Sequence, residues 1–237
     1  MTIELYLGDC LTVLPTLESG IVDAFILDPP YGIDYQSAWR IDRSQWKPKI
    51  ANDKEPFLDW LPEAYRITKM GGALVCFCRW DVEDCFKLAI EQAGYEVKSQ
   101  IIWDKVIHGM GDLNGSFAPQ HENMWFAVKG DFKFWNERPK SIIRATRVSA
   151  EELVHPNEKP IPLYLSLIDS LVPPNGLLVD CFLGSGNSGK ASQILGRNFI
   201  GVELDPCHYA VAQRRITEAQ AQPSLPGILI PEQTRLF

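Results

Sequence analysis

Val179-Asp180-Cys181-Phe182-Leu183-Gly184-Ser185-Gly186-Asn187-Ser188-Gly189 passes from an apolar run into three glycines spaced G-x-G-x-x-G at Gly184, Gly186 and Gly189. Glycines at those places permit a tight turn and let a ligand come close to the backbone. The run before them reads as a strand and the run after them as the opening of a helix, a strand–turn–helix unit typical of α/β sheets. A second apolar segment, Phe199-Ile200-Gly201-Val202, follows that helix and ends in Glu203. A carboxylate at that strand end can accept hydrogen bonds from two ribose hydroxyls, so an adenosine-containing ligand is expected across the strand ends. NAD and S-adenosylmethionine both suit such a crevice. Asp180 favours the second, since a carboxylate before the turn suits a cationic amino group better than a pyrophosphate.

Working outward, apolar runs rich in Val, Ile, Leu and aromatics predict strands at 4–7, 24–27, 73–77, 99–103, 125–128, 177–181 and 199–202. Continuous rather than alternating hydrophobicity is what strands covered on both faces show. Helices are predicted at 57–68, 82–93, 161–171, 189–195 and 207–219, with Gly71-Gly72 and Gly94 as helix stops. Strands alternating with helices predict a largely parallel, doubly wound sheet. The interval from Lys105 to Pro160 fits poorly and is expected to hold one strand plus loops and short elements. The expected organisation is one catalytic domain at 1–222, an insertion at about 105–155 and a flexible tail at 223–237.

Val22-Asp23-Ala24-Phe25-Ile26-Leu27-Asp28-Pro29-Pro30-Tyr31-Gly32 is an apolar strand that runs into a rigid turn. Two prolines fix φ and supply no N–H, so their carbonyls can face a ligand, and Pro29 biases Asp28 toward an extended backbone. A base amino group is a poor nucleophile because its lone pair is delocalised into the ring. The Asp28 carboxylate and the Pro29 carbonyl can accept its two N–H groups, draw the nitrogen toward a tetrahedral shape and aim its lone pair at a methyl donor. Tyr31 offers an aromatic face for a base flipped out of duplex DNA.

Composition sets the limits. Hydrophobic residues make up 46% and charged residues 22%, as in globular proteins, and the apolar runs are too short to cross a bilayer. The N-terminus lacks a basic region followed by an apolar stretch, so a cytoplasmic protein is expected. Six scattered cysteines give no C-x-x-C pair, and four histidines show no ligand spacing, so neither structural disulfides nor a metal site is expected. A net charge of −7 argues against a nucleic-acid partner globally, but charge placement matters more. Arg40, Arg43, Lys47 and Lys49 form one basic run; Lys133, Arg138, Lys140, Arg144 and Arg147 form another. Each reads equally as a solvated face or a phosphate-binding surface.

These motifs resemble those of the amino-group (N6-adenine/N4-cytosine) DNA methyltransferases, in the group whose catalytic motif precedes its cofactor motif. Asp28-Pro-Pro-Tyr31 matches the catalytic motif, and Asp180-Cys-Phe-Leu-Gly-Ser-Gly186 is similar to the family's D-P-F-x-G-S-G, with Cys181 in place of proline and Asn187 in place of threonine. Leu7-Gly8-Asp9-Cys10 resembles the segment whose aspartate contacts the cofactor adenine. His155-Pro156-Asn157-Glu158-Lys159-Pro160 resembles the H-P-x-x-K-P segment beside the methionine end of the cofactor. The resemblance implies a Rossmann-like S-adenosylmethionine-dependent fold, circularly permuted so that Met1 begins at what is normally the third strand. It implies a cofactor site of Asp9, Cys10, Asp28, Lys159, Pro160, Asp180, Phe182, Gly184, Ser185, Gly186, Asn187, Glu203 and Leu204, yielding S-adenosyl-L-homocysteine as product. It also implies double-stranded DNA as partner, a restriction-modification context, and a target-recognition segment at 105–147; relatives of this type are often homodimers.

Aspartate rather than serine at the motif head resembles the N6-adenine members. Alternatives are cytosine N4, an amine of RNA or protein, or a nucleotide- or DNA-binding module without catalysis. Pro206-Cys207 is misplaced for the nucleophile of a cytosine-C5 enzyme, and Trp39, Trp46 and Trp60 read as packing residues before nucleic-acid contacts. At the tail, Gln233-Thr234-Arg235-Leu236-Phe237 is similar to the peptides by which bacterial DNA enzymes dock on the replication sliding clamp. The same two apolar residues could instead fold back on their own domain.

Overall fold

The computed structural model describes residues 1–32, 53–109, 113–148 and 158–221. Arg40, Arg43, Lys47, Lys49, Trp39, Trp46, the 155–157 part of the H-P-x-x-K-P segment and the tail with Gln233, Leu236 and Phe237 lie outside the described residues.

The described strands are β1 (Ile3–Leu7), β2 (Val22–Leu27), β3 (Thr68–Cys78), β4 (Glu96–Asp104), β5 (His121–Lys129), β6 (Ile142–Arg144), β7 (Leu177–Asp180) and β8 (Asn198–Glu203). Between them lie the helices α1 (Cys10–Val13), α2 (Leu61–Ile67), α3 (Glu83–Gln92), α4 (Ile161–Leu171), α5 (Asn187–Leu195) and α6 (Pro206–Ala221). The strands form one sheet in the order β1-β8-β7-β2-β3-β5-β4-β6. All neighbours are parallel except β5, which runs antiparallel to both β3 and β4. Counted outward from β7, the order 3-2-1-4-5 of a Rossmann sheet is reproduced by β1, β8, β7, β2 and β3. The chain therefore starts at the third strand of that scheme, as the permuted motif order implies.

Alternation along the strands divides the core between the two faces. Ala24 and Ile26 of β2 join one cluster with Val75, Phe77, Leu163 and Ile168, while Phe25 and Leu27 join another with Leu74, Cys76, Trp60 and Phe86. Burial on both faces explains the unbroken apolar character of these strands. Helix α4 begins after Pro160 with a second proline in its first turn, where the missing N–H has no helical partner to lose. Helix α3 carries Glu83 and Asp84 at its positive end and buries Phe86 and Ile90, four residues apart.

Gly94 does stop α3, at φ +110 with its N–H on the Glu91 carbonyl. Gly71-Gly72 does not stop a helix: α2 ends at Ile67 and β3 already runs through both glycines. The register jumps from Val22↔Thr68 to Ala24↔Ala73, so the pair sits in a bulge, where Gly71 takes φ +80. The interval from Lys105 to Pro160 holds two strands rather than the one expected: β5 occupies the sheet between β3 and β4, and β6 pairs with β4 at its edge. The described parts of that interval outside the sheet are the loops around them.

Candidate active site

Strands β7 and β2 are adjacent and parallel, and the strand order reverses between them. In open α/β sheets this is the crevice where ligands bind, outside the carboxyl ends of the strands. Asp180 closes β7 and Asp28 follows β2, so both motifs open onto it.

On the β7 side, the turn is built by its own polar groups. Asp180 is 1% exposed and accepts hydrogen bonds from the Phe182 N–H at 3.0 Å and the Ser188 hydroxyl at 2.6 Å. Burial pushes its carboxyl up to about 7 against those two bonds, with the charges of Asp28 and Glu203 adding to the rise. Among the described residues no cationic side chain pairs with it. Glu203 takes the Gly184 N–H at 2.7 Å and the Asp205 N–H at 2.9 Å, tying the turn to the end of β8, and burial raises its pKa as well. Gly184 and Gly186 have φ of +53 and +83, and a Cβ on Gly186 would lie 2.8 Å from Ala212 of α6. The glycines thus serve the turn and the close seat of α6 together.

The remaining predicted cofactor residues gather nearby. The Gly8 N–H bonds the Glu203 carbonyl at 2.9 Å, which brings Asp9 to the same end of the sheet; Asp9 caps α1 through the Leu11 N–H at 2.9 Å. Cys10 is buried beside Cys181. Phe182 meets Phe57 and Trp60 edge-on at 6.0 and 5.8 Å, and Leu204 is exposed at the end of β8. Asn187 donates to Glu158 at 2.8 Å and to the Lys159 carbonyl at 2.9 Å, stitching α5 to the segment that leads through Pro160 into α4. Arg215 of α6 completes this junction, 2.6 Å from Glu158 and 3.4 Å from the Ser185 carbonyl. The motifs gave no sign of the Glu158–Arg215 pair, because its partners are far apart in sequence.

On the β2 side, the four residues of the turn have distinct surroundings. The Pro30 carbonyl accepts the Phe57 N–H at 3.2 Å, whereas among the described residues no donor meets the Pro29 carbonyl. The Tyr31 hydroxyl donates to Asp28 Oδ1, and its ring meets Phe86 edge-on at 6.2 Å. Burial and the neighbouring carboxylates push the phenol well above its ordinary range, so it remains a donor. Gly32 has φ +82, and its N–H is held by Asp53 at 2.8 Å. Asp28 Oδ2 accepts from Lys159 Nζ at 2.6 Å, and the same ammonium lies 3.2 Å from Glu122 Oε2 at the head of β5. Burial alone would lower the Lys159 pKa; Asp28 and Glu122 hold it above the ordinary lysine range. Sequence reasoning grouped Lys159 with the cofactor and missed Glu122 altogether.

Two further signals lie elsewhere. Trp60 is fully buried, while Trp80, two residues beyond β3, is 73% exposed at the end of the sheet where Asp28 lies. Cys207 is exposed on the first turn of α6. Among the described residues no helix is long and apolar enough to cross a membrane, and no group of His, Cys, Asp or Glu is placed to hold a metal ion.

Comparison with known proteins gives this geometry a family. The profile of the DNA methylase family matches residues 22–214. The protein YubD of Escherichia coli strain K12 is 30% identical over 217 residues, covering 90% of this chain and 89% of its own length. The crystal structure of the M1.HpyAVI–SAM complex superposes with a TM-score of 0.70 at 25% identity, covering 90% of this chain and all of that one. The cytosine-N4-specific PvuII DNA methyltransferase shares the fold, with a TM-score of 0.71 at 15% identity over 93% of this chain and 92% of its own. This chain belongs to the DNA methylase family, the amino-group N6/N4 DNA methyltransferases.

Proposed function

We propose that this chain transfers a methyl group from S-adenosyl-L-methionine to the N6 amino group of an adenine flipped out of double-stranded DNA. The observation that carries the reading is Asp28, held at the β2 end by the Tyr31 hydroxyl and the Lys159 ammonium beside a Pro29 carbonyl that meets no described donor. A carboxylate with both oxygens already oriented has little left to reorganise when an amine arrives, the condition under which electrostatic preorganisation speeds a reaction.

S-adenosyl-L-methionine supplies an electrophilic methyl group on a sulfonium. The residues present fit it. Asp180 is a buried acid beside two other carboxylates with no cationic partner described, and the ammonium of an amino-acid moiety would relieve it. Glu203 and Asp9, at neighbouring strand ends, would hold the ribose hydroxyls and the adenine respectively. Cys10, Phe182 and Leu204 would line that pocket, with the backbone of 184–187 along its floor. Lys159 and Pro160 would flank the amino-acid end.

Asp28 and the Pro29 carbonyl would each accept one N–H of the target amine, turning its lone pair toward the methyl group. As the amine takes the methyl group, whose bond to the sulfonium would break to leave a neutral thioether, it would give up one proton, with the Asp28 carboxylate already bonded to that hydrogen as the base at hand. The Tyr31 ring would stack on the extruded base. Residues 1–222 would form the catalytic domain. The loops around β5 and the edge strand β6, with the exposed Lys133, Arg138, Lys140, Arg144 and Arg147, would contact phosphate and read base edges.

Aspartate at the motif head supports adenine over cytosine. Because the cytosine-N4-specific PvuII enzyme has the same fold, fold does not separate the two amines. Incubation with unmethylated genomic DNA and labelled S-adenosylmethionine, followed by nucleoside mass spectrometry, should yield N6-methyladenine that Asp28→Ala abolishes. N4-methylcytosine would select the cytosine reading, and no transfer to DNA would end both.

A further inference from the structure

Lys159 is buried at the centre of a four-charge cluster, of which only Asp28 and Lys159 itself belong to the sequence motifs. Its ammonium is 2.6 Å from Asp28 Oδ2 and 3.2 Å from Glu122 Oε2, with its side chain only 5% exposed. The far oxygen of Glu122 is 2.8 Å from Lys105, at the end of β4. Two carboxylates and two ammonium groups leave the cluster formally neutral. The Phe77 ring lies 5.1 Å from the Lys159 ammonium, and Tyr31 and Tyr164 supply the titratable hydroxyls near its carboxylates.

The two contacts of Lys159 are unequal. The bond to Asp28 is short and well aligned, whereas Glu122 Oε2 is a buried oxygen with no completed hydrogen bond among the described residues. It is close enough to attract the ammonium and unsatisfied enough to accept it. When a target amine donates to Asp28, the ammonium needs an alternative acceptor, because a buried cation without one is costly. Without Glu122 the ammonium would cling to Asp28 alone and compete with the amine for its lone pairs.

We propose that Glu122 is a positioning residue for methyl transfer, a second carboxylate that keeps the Lys159 ammonium beside Asp28 while leaving Asp28 able to accept the amine. The inference rests on Asp28 as the acceptor of the target amine. Burial opposes the charge on Lys159, and the two carboxylates together overcome it. Neutralising Glu122 removes one of them, so Lys159 gives up its proton at lower pH.

The test is single-turnover methylation of unmethylated genomic DNA by the full-length chain between pH 6 and 10, with equilibrium binding of cofactor and DNA measured separately. Glu122→Gln should slow transfer by roughly 10- to 100-fold while both dissociation constants stay within about threefold. Its rate should fall as the pH rises toward 10, where the wild-type rate stays level because Lys159 is held above the ordinary lysine range. Glu122→Asp, which keeps the charge, should recover most of the rate and hold it level to pH 10. A Glu122→Gln enzyme with wild-type rate and pH profile overturns the inference. So does a slowed enzyme whose pH profile is unmoved, or one that Glu122→Asp fails to rescue, since either outcome marks a merely structural residue. Asp28→Asn separates the underlying reading: if that variant still transfers methyl groups, the role of Asp28 fails and this inference with it.

Discussion

Asp28 and Asp180 stand at the ends of adjacent strands, each opening a turn onto the same crevice, yet they are satisfied in opposite ways. Asp180 is buried, bonded to a backbone N–H and a serine, and lies among other acids. Asp28 is partly open and has an ammonium on one oxygen and a phenol on the other. The first is an acid short of a cation, suited to waiting for a positively charged ligand. The second already has its cation, so what it offers a newcomer is hydrogen-bond acceptance rather than net charge. In the proposed reading, the sheet separates the two tasks of a transferase, holding a cationic donor and orienting a neutral nucleophile, on two neighbouring carboxylates.

If that division is right, Asp28→Ala should lower the transfer rate by about 10^3-fold or more, with cofactor affinity changed by less than about tenfold. Comparable losses in both, measured by single turnover and calorimetry, would erase the distinction. On the β7 side, Gly186→Ala asks a side chain to enter the left-handed region 2.8 Å from Ala212. It should destabilise the fold by roughly 2–4 kcal/mol, and an unchanged thermal melt would show that α6 moves aside easily.

Asp180→Asn should weaken cofactor binding by about 10- to 100-fold, yet stabilise the ligand-free protein at neutral pH. The sign follows from linkage. The folded pKa of about 7 lies above the ordinary value of 3.8, so the wild-type acid carries no penalty below pH 4. The penalty grows from about pH 4 to 7 and is constant above that. The variant should therefore melt at the wild-type temperature near pH 4 and higher by at least about 2 °C near pH 8; a pH-independent difference would argue against the buried-acid account. Tyr31→Phe, which keeps the ring and deletes the hydroxyl on Asp28, should slow transfer by only about three- to tenfold. A larger loss in kcat would give the phenol more than an orienting role.

Much of this site could be read from sequence because its motifs are local. A strand followed by Asp-Pro-Pro-Tyr, or by glycines at fixed spacing, dictates its own turn through φ limits and missing N–H groups. The permuted order was legible for the same reason, as it needs only the sequence of motifs along the chain. What stayed hidden depends on pairing across long separations. Glu122 looks like an ordinary strand residue until β5 places it beside Lys159, and Arg215 looks like a surface charge on α6 until it reaches Glu158. Gly71-Gly72 misled because glycines after an apolar run stop helices and also make bulges. Only the register of β3 on β2 separates the two.

The sheet order also has a consequence for synthesis. Among the described residues strand β1 pairs only with β8, Ile3 opposite Phe199, so β1 has no edge to dock on until a segment far downstream has left the ribosome. At about 5–20 residues per second that wait is roughly 10–40 s, during which β1 and the Asp9 turn remain open to chaperones and proteases. The proposed donor pocket is therefore assembled only after β8 has been made, and a nascent chain that has already made its Asp-Pro-Pro-Tyr turn would still lack it.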